Sequence, residues 1–566
     1  MGKSTQLPFP AESKVRMNSN NKQKKYRMSL IFLVTCVIGG NGGLLVGYIT
    51  GIFGGIIFTP EYGKSIYPDT YKDTIVSGYN HYCSLYFMAI SLLPASLYCL
   101  SFFVLLSRNL ECSRLETRRH MIVAGAFLFM GSVVSAFATN IFMFVMGPNL
   151  LGVGFGLLNY QIFSVCSFSG AVLCEFTQSG LALFVCGPAM EVQPIKNSKG
   201  KDAQRYISEM VSAQNHHQGF LNIAFKMLIA IGILVANLVN YTTNSMKDGW
   251  GWRASFVVAV VPAAIISIGS FLLPDTPISM VKHGKLDDAK RLLQRLHATT
   301  DDVALQYNDL ITAKEAFKSA KGFQMRILYR TQNKPYLLMA IALPLFQQLT
   351  GINVIVIYAP FLFKVLELRA DATLLYTSII GGVNVAATII GIVLVSRGCR
   401  RLYFIAGGVQ MFVGQIMVGT LVLLKLAGTM GLGDVYDYLI VVAICICVSG
   451  FAWWWGPLGC VFFSSDYMLL LFPVEIRPYG QNLAVGLHWM FSTFMAVVFP
   501  QMLCHLQFGV FYLFAFFVLI MTLFAYYFVP ETNGILVEED VSQEWKQHWF
   551  WRRYFFDPSS NGVLMV

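Results

Sequence analysis

Hydrophobic positions in this chain fall in long unbroken runs instead of alternating with polar ones. Runs of membrane-spanning length occupy residues 29–57, 84–106, 120–138, 140–167, 219–240, 253–273, 336–361, 375–395, 402–425, 437–462, 482–503 and 508–529. A hydrocarbon core about 30 Å thick takes about 20 helical residues to cross, and in lipid a helix satisfies its own backbone. Each run therefore predicts one transmembrane helix, and together they predict an all-α membrane protein of about twelve helices. The longest interruption, 274–335, divides them six and six.

The polar segments fix the remaining boundaries. Residues 1–28 read as a cytosolic tail, 29–273 as an N-terminal six-helix half and 274–335 as a cytosolic linker. Residues 336–529 read as a C-terminal six-helix half, and 530–566 as a cytosolic tail. Within the linker, 286–317 has helical periodicity with charged faces, and Asp301 and Asp302 suit a helix start. The first half has an external loop, 58–83, and a segment, 168–207, that fits the plan poorly: it carries Glu175 and the basic string KNSKGKDAQR (196–205). Counted as a span, that segment would turn every later basic loop outward, so it reads as a cytosolic or interfacial insertion. ETRRHM (116–121) after the second span and SRGCRRLYF (396–404) after the eighth form a weak internal repeat. Repeated halves are a property of secondary transporters, which bind substrate where the halves meet.

Charge agrees with this layout. Basic residues cluster at Lys22, Lys24, Lys25 and Arg27, at Arg114, Arg118 and Arg119, through 282–334, at Arg397, Arg400 and Arg401, at Arg477, and at Arg552 and Arg553. These are alternate gaps, which puts both termini in the cytosol. Only 13% of residues are charged and 55% are hydrophobic, against about 25% charged in a soluble domain. The net charge of +11 is spread over membrane loops, which argues against a nucleic-acid partner and for the lipid bilayer. No phosphate-binding loop, HExxH, paired CxxC or nucleophile elbow is present, so the expectation is a non-enzyme with no cofactor and no metal. GVGFG (152–156) lies inside an apolar run and reads as close helix packing.

One stretch carries unexpected chemistry. FQQLTGINVIVIYAP (346–360) places Gln347, Gln348, Thr350 and Asn353 in an otherwise apolar span. A buried amide in hydrocarbon is costly unless hydrogen-bonded, so such side chains face a cavity or another helix. On an unbroken helix Gln348 and Asn353 stand about 140° apart. A break at Gly351 would bring both toward one pocket, where amides offer the donors and acceptors that sugar hydroxyls require. Bridging between neighbouring helices is the other use of the same groups. Trp453, Trp454 and Trp455, beside Gly456 and Pro457, offer rings for the C–H face of a sugar, or for packing.

The chain resembles the plant sugar transport proteins, the proton-coupled monosaccharide carriers of the major facilitator superfamily. The resemblance rests on GGLLVGYITGIFGG (42–55), GWGWRASF (249–256), LPDTPISM (273–280), FQQLTGINVIVIYAP (346–360), GGVNVAAT (381–388), GFAWWWGPLG (450–459), FPVEIR (472–477) and VPETNG (529–534). It implies the major facilitator fold, alternating access at the plasma membrane, a monosaccharide substrate with protons as co-substrate, and sugar contacts at Gln347, Gln348, Asn353 and Asn384. It also implies a cytosolic gate at Arg118, Arg119, Arg400, Arg401, Arg477 and Glu531. Cys83 and Cys504 match the positions where the family clips an external lid with a disulfide.

Several family positions are altered. The proton-accepting aspartate of the first span is Ile49, and the arginine that pairs with it in the fourth is Pro148. Losing one partner leaves a buried charge that costs about 3–5 kcal/mol, whereas losing both removes that penalty. Lys226 stands where the family has a sugar-contacting glutamine, His488 where it has an asparagine, and Cys460 where it has an aromatic residue. VFFSSDYMLLLF (461–472) replaces a shorter family string, with Asp466 as a candidate for its glutamate. His488 is an alternative proton carrier. Four readings stay open: a proton symporter, a proton-independent uniporter, a non-transporting sugar sensor, and a decayed family member.

Overall fold

The computed structural model describes residues 30–56, 60–66, 68, 86–111, 117–173, 226–246, 250–272, 275, 277–296, 333–366, 372–395, 400–427, 433–455, 477–529 and 545–555. Among them, every regular element is helical. Ten helices are long and apolar enough to cross a membrane. The 27-residue α1 (Leu30–Ile56) and the 26-residue α3 (Tyr86–Glu111) bring the spans to twelve.

After the short α2 (Pro60–Ile66), the first half continues through α3, α4 (Thr117–Ala136), α5 (Ile141–Leu173), α6 (Lys226–Thr243) and α7 (Trp250–Leu272). Helices α8 (Pro277–Lys282) and α9 (Leu286–Leu296) open the linker. The second half begins with a seventh span in three pieces, α10 (Lys334–Leu349), α11 (Ile352–Ile357) and α12 (Ala359–Val365). It continues with α13 (Thr373–Val395), α14 (Arg400–Leu426), α15 (Gly433–Gly450) with a π-helical turn at Phe451–Trp455, α16 (Arg477–Leu506) and α17 (Gly509–Phe528).

Small residues and backbone carbonyls set how closely the first-half helices pack. Tyr48 donates to the Ser255 carbonyl and Asn41 to that of Pro262, both at 2.9 Å, tying α1 to α7. Asn240 of α6 donates to the Gly51 carbonyl at 3.3 Å and accepts from Ser255 Oγ at 3.0 Å. In GVGFG, a Cβ on Gly152 would strike the Leu97 backbone, one on Gly154 the Leu128 side chain, and one on Gly156 the α3 backbone. These glycines are contact surfaces between membrane helices, as their position in an apolar run predicted.

The halves meet along α1 against α11 and α12, α3 against α16, and α6 against α13. Asn237 Nδ2 donates across that seam to the Thr377 carbonyl at 3.2 Å, and Tyr98 tilts against Trp489 with ring centroids 5.4 Å apart. Helix α5 runs 33 residues, about 50 Å at 1.5 Å per residue, and so outruns the hydrocarbon core. It absorbs residues 168–173 of the segment read as an insertion; the rest of that segment, and residues 297–332 of the linker, lie outside the described residues.

The tail holds a feature that the hydrophobic pattern did not single out. Trp545 packs on Tyr336 at the start of the seventh span, with ring centroids 5.2 Å apart. Trp551 donates to the Phe528 carbonyl at 2.8 Å at the end of the twelfth. Both tryptophans are buried, so residues 545–555 complete the end of the second half instead of trailing from it.

Candidate functional site

A cavity of about 200 Å³ lies where the two halves meet. All six side chains named from sequence as substrate contacts line it: Gln347, Gln348, Asn353, Asn384, Lys226 and His488. The break in the seventh span explains how the first three converge. Gly351 separates α10 from α11 with φ of 71°, in the left-handed region that a side chain disfavours, and a Cβ there would run into the Phe514 ring. The backbone groups freed by the break are taken up locally. Thr350 Oγ1 donates to the Gln347 carbonyl at 2.9 Å, and Gln415 of α14 reaches across to the Thr350 carbonyl at 2.7 Å.

Gln347 and Gln348 are 5% and 3% exposed, so their amides have only protein or a cavity occupant as partners. Gln348 Nε2 donates to His488 Nδ1 at 3.1 Å, an arrangement that keeps the proton of the neutral ring on Nε2. Gln347 Oε1 is buried and accepts no hydrogen bond from any described residue. An unsatisfied buried acceptor costs about 1–3 kcal/mol, which a hydroxyl entering the cavity would recover.

Of the two uses open to Trp453 and Trp455, the structure shows packing. Trp453 turns toward α14 and donates to Gln410 Oε1 at 3.0 Å; Trp455 is buried edge-on against Phe404, with centroids 4.8 Å apart. The π turn re-aims this segment, and the cavity instead takes its rings from Phe451, Tyr98 and Trp489. Tyr98 and Trp489 were not picked out because aromatic residues are common in every span; the one available signal was the position of Trp489 directly after His488.

Ile49 is buried in α1 and Pro148 in the interior of α5, a helix that α1 packs against. The next residue, Thr50, lines the cavity, but its hydroxyl is already donated to the Val46 carbonyl at 2.7 Å. At the opposite end, Arg118 donates its backbone N–H to Asp275 Oδ1 at 3.2 Å and its Nη2 to the Phe271 carbonyl at 2.6 Å, fastening the start of α4 to the end of α7. Arg119 is exposed beside it. Arg400, Arg401 and Arg477 stand at helix starts, with side chains outside the described residues, as is Glu531. Cys504 is disulfide-bonded and Cys99, Cys445 and Cys447 are free thiols; Cys83 lies outside the described residues.

A broken seventh span that presents amides to a cavity between two six-helix halves is a carrier architecture, and the comparisons agree. The family model for sugar (and other) transporters matches residues 203–545. Sugar transport protein MST3 of Oryza sativa subsp. japonica is 39% identical over 536 residues, covering 94% of this chain and 93% of its own length. The chain belongs to the sugar transporter family. Sugar transport protein 1 of Arabidopsis thaliana is 38% identical over 548 residues, covering 96% and 95% of the two chains. Among solved structures, the proton:xylose symporter XylE bound to 6-bromo-6-deoxy-D-glucose superposes with a TM-score of 0.64 at 21% identity, over 90% of this chain and 98% of that one. An inward-open form of XylE from E. coli superposes at 0.63 and 20%, over 91% and 99%. At that identity the likeness establishes the fold, that of the major facilitator superfamily.

Proposed function

We infer that the protein carries a monosaccharide across the plasma membrane by alternating access, one six-helix half rocking against the other around the cavity. The observation that supports this most is the buried, unpaired Gln347 Oε1 in the wall beside Gln348, Asn353 and Asn384, a set of amides suited to a ring of hydroxyls.

Transport on this reading is proton-independent. Ile49 and Pro148 cannot bind or stabilise a proton, and no carboxylate is among the described residues of the cavity wall. The arginines at 118, 119, 400, 401 and 477, with Glu531, act as the cytosolic gate, and a Cys83–Cys504 bond closes a lid over the outer entrance. Both termini are cytosolic.

The test is uptake of labelled monosaccharides by yeast lacking its own hexose carriers, with surface expression measured in parallel. Uptake that equilibrates and ignores a protonophore supports the reading. Uptake abolished by the protonophore means that coupling survives without Asp at position 49 and redirects attention to His488. No uptake from a well-expressed protein defeats the transport reading and leaves the sensor or a decayed chain.

A further inference from the structure

The cavity wall carries a charge that a neutral sugar does not use. Lys226, at the start of the described part of α6, is part-buried in that wall and makes no hydrogen bond or ion pair with any described residue. Among the described lining residues the other ionisable side chains are Tyr98 and His488, and none is an aspartate or glutamate. A cation inside a membrane bundle generally pairs with an anion or reaches water. Here the described wall offers neutral amides, hydroxyls and an imidazole but no anion: the Gln348 amide is turned toward His488 Nδ1, leaving the ring's other nitrogen as a donor.

We propose that the preferred substrate is a monosaccharide bearing one carboxylate, a hexuronate or an aldonate, whose anion rests against Lys226 while its hydroxyls meet the amides of α10, α11 and α13. This rests on the monosaccharide reading above and names the substrate class for the same cavity. The charge count selects a monoanion. The described wall offers one lysine and no arginine, whereas a phosphate dianion calls for several charged donors or a bidentate guanidinium. The size fits one sugar ring: about 200 Å³ is below the roughly 300–1,000 Å³ of drug-sized pockets.

The purified full chain in proteoliposomes is assayed for uptake of labelled D-glucose and labelled D-glucuronate, each competed by the other and by D-glucose 6-phosphate. The expected result is half-inhibition by glucuronate at a concentration about tenfold or more below that of glucose. Lys226→Gln is expected to bring that ratio close to one, and Lys226→Arg to keep it, with thermal melting used to establish that both variants fold. Preference for glucose in the natural protein, or an unchanged ratio in a folded Lys226→Gln, overturns the proposal, and glucose 6-phosphate as the best competitor overturns the choice of a monoanion. If glucose is carried and glucuronate excluded, this proposal alone fails. If a folded protein neither binds nor carries any of the three, the monosaccharide reading fails with it.

Discussion

The two sides of the cavity follow different rules. The side built from α10, α11 and α13 presents four amides, Gln347, Gln348, Asn353 and Asn384, and the turn at Gly351 aims the first three. The side built from α1 and α6 presents Thr50 and Lys226 among aliphatic residues, and Ile49 and Pro148 are buried in α1 and α5. The four amides and the one lysine of the described wall therefore sit on separate elements. The amide side depends on backbone geometry, and the other side on the balance of buried charge.

Restoring charge to the altered side should give the largest effect. Ile49→Asp places a carboxylate at a position 1% exposed, with Pro148 unable to pair with it; the expected loss is about 3–5 kcal/mol, read as a fall in melting temperature in detergent. Adding Pro148→Arg should recover part of that loss. A double variant no more stable than the single one would show that the two positions do not form a pair.

Next is the hinge of the amide side. Gly351→Ala combines a left-handed residue with a collision against Phe514, which itself stacks on Phe499 at 6.1 Å. It should destabilise by about 1–3 kcal/mol and sharply reduce uptake. Normal uptake would mean that the break does not aim the amides. Gln348→Ala removes the donor to His488 and one sugar contact, and affinity should fall about tenfold in a competition assay.

Smaller and opposite in sign for stability is Gln347→Leu. It removes the unpaired Oε1, so the substrate-free protein should become more stable by about 1 kcal/mol while sugar binding weakens. Weakening of both would mean that Gln347 is a structural bridge. His488→Asn should leave the pH dependence of uptake unchanged, as expected of a hydrogen-bonding partner of Gln348; a shifted pH profile would make His488 the proton carrier.

Much of this was legible in the chain. The spans follow from run length because lipid permits so few backbone solutions, and the break at Gly351 follows from polar residues that an unbroken helix could not converge. Trp453 and Trp455 suited either a sugar face or packing, and only the fold assigns them to packing, Trp453 on Gln410 and Trp455 against Phe404. Tyr98 and Trp489 meet only through the pairing of α3 with α16, a contact across nearly 400 residues that no periodicity encodes. The docking of Trp545 and Trp551 was hidden for the same reason.

The most direct test of the carrier reading is equilibrium exchange of a labelled monosaccharide, neutral or acidic, in proteoliposomes with no proton gradient, comparing the natural chain with Gln348→Ala. The account predicts saturable exchange in the natural chain, with half-saturation raised about tenfold in the variant. Exchange that requires an imposed proton gradient, or that is indifferent to Gln348 in a folded protein, would contradict it.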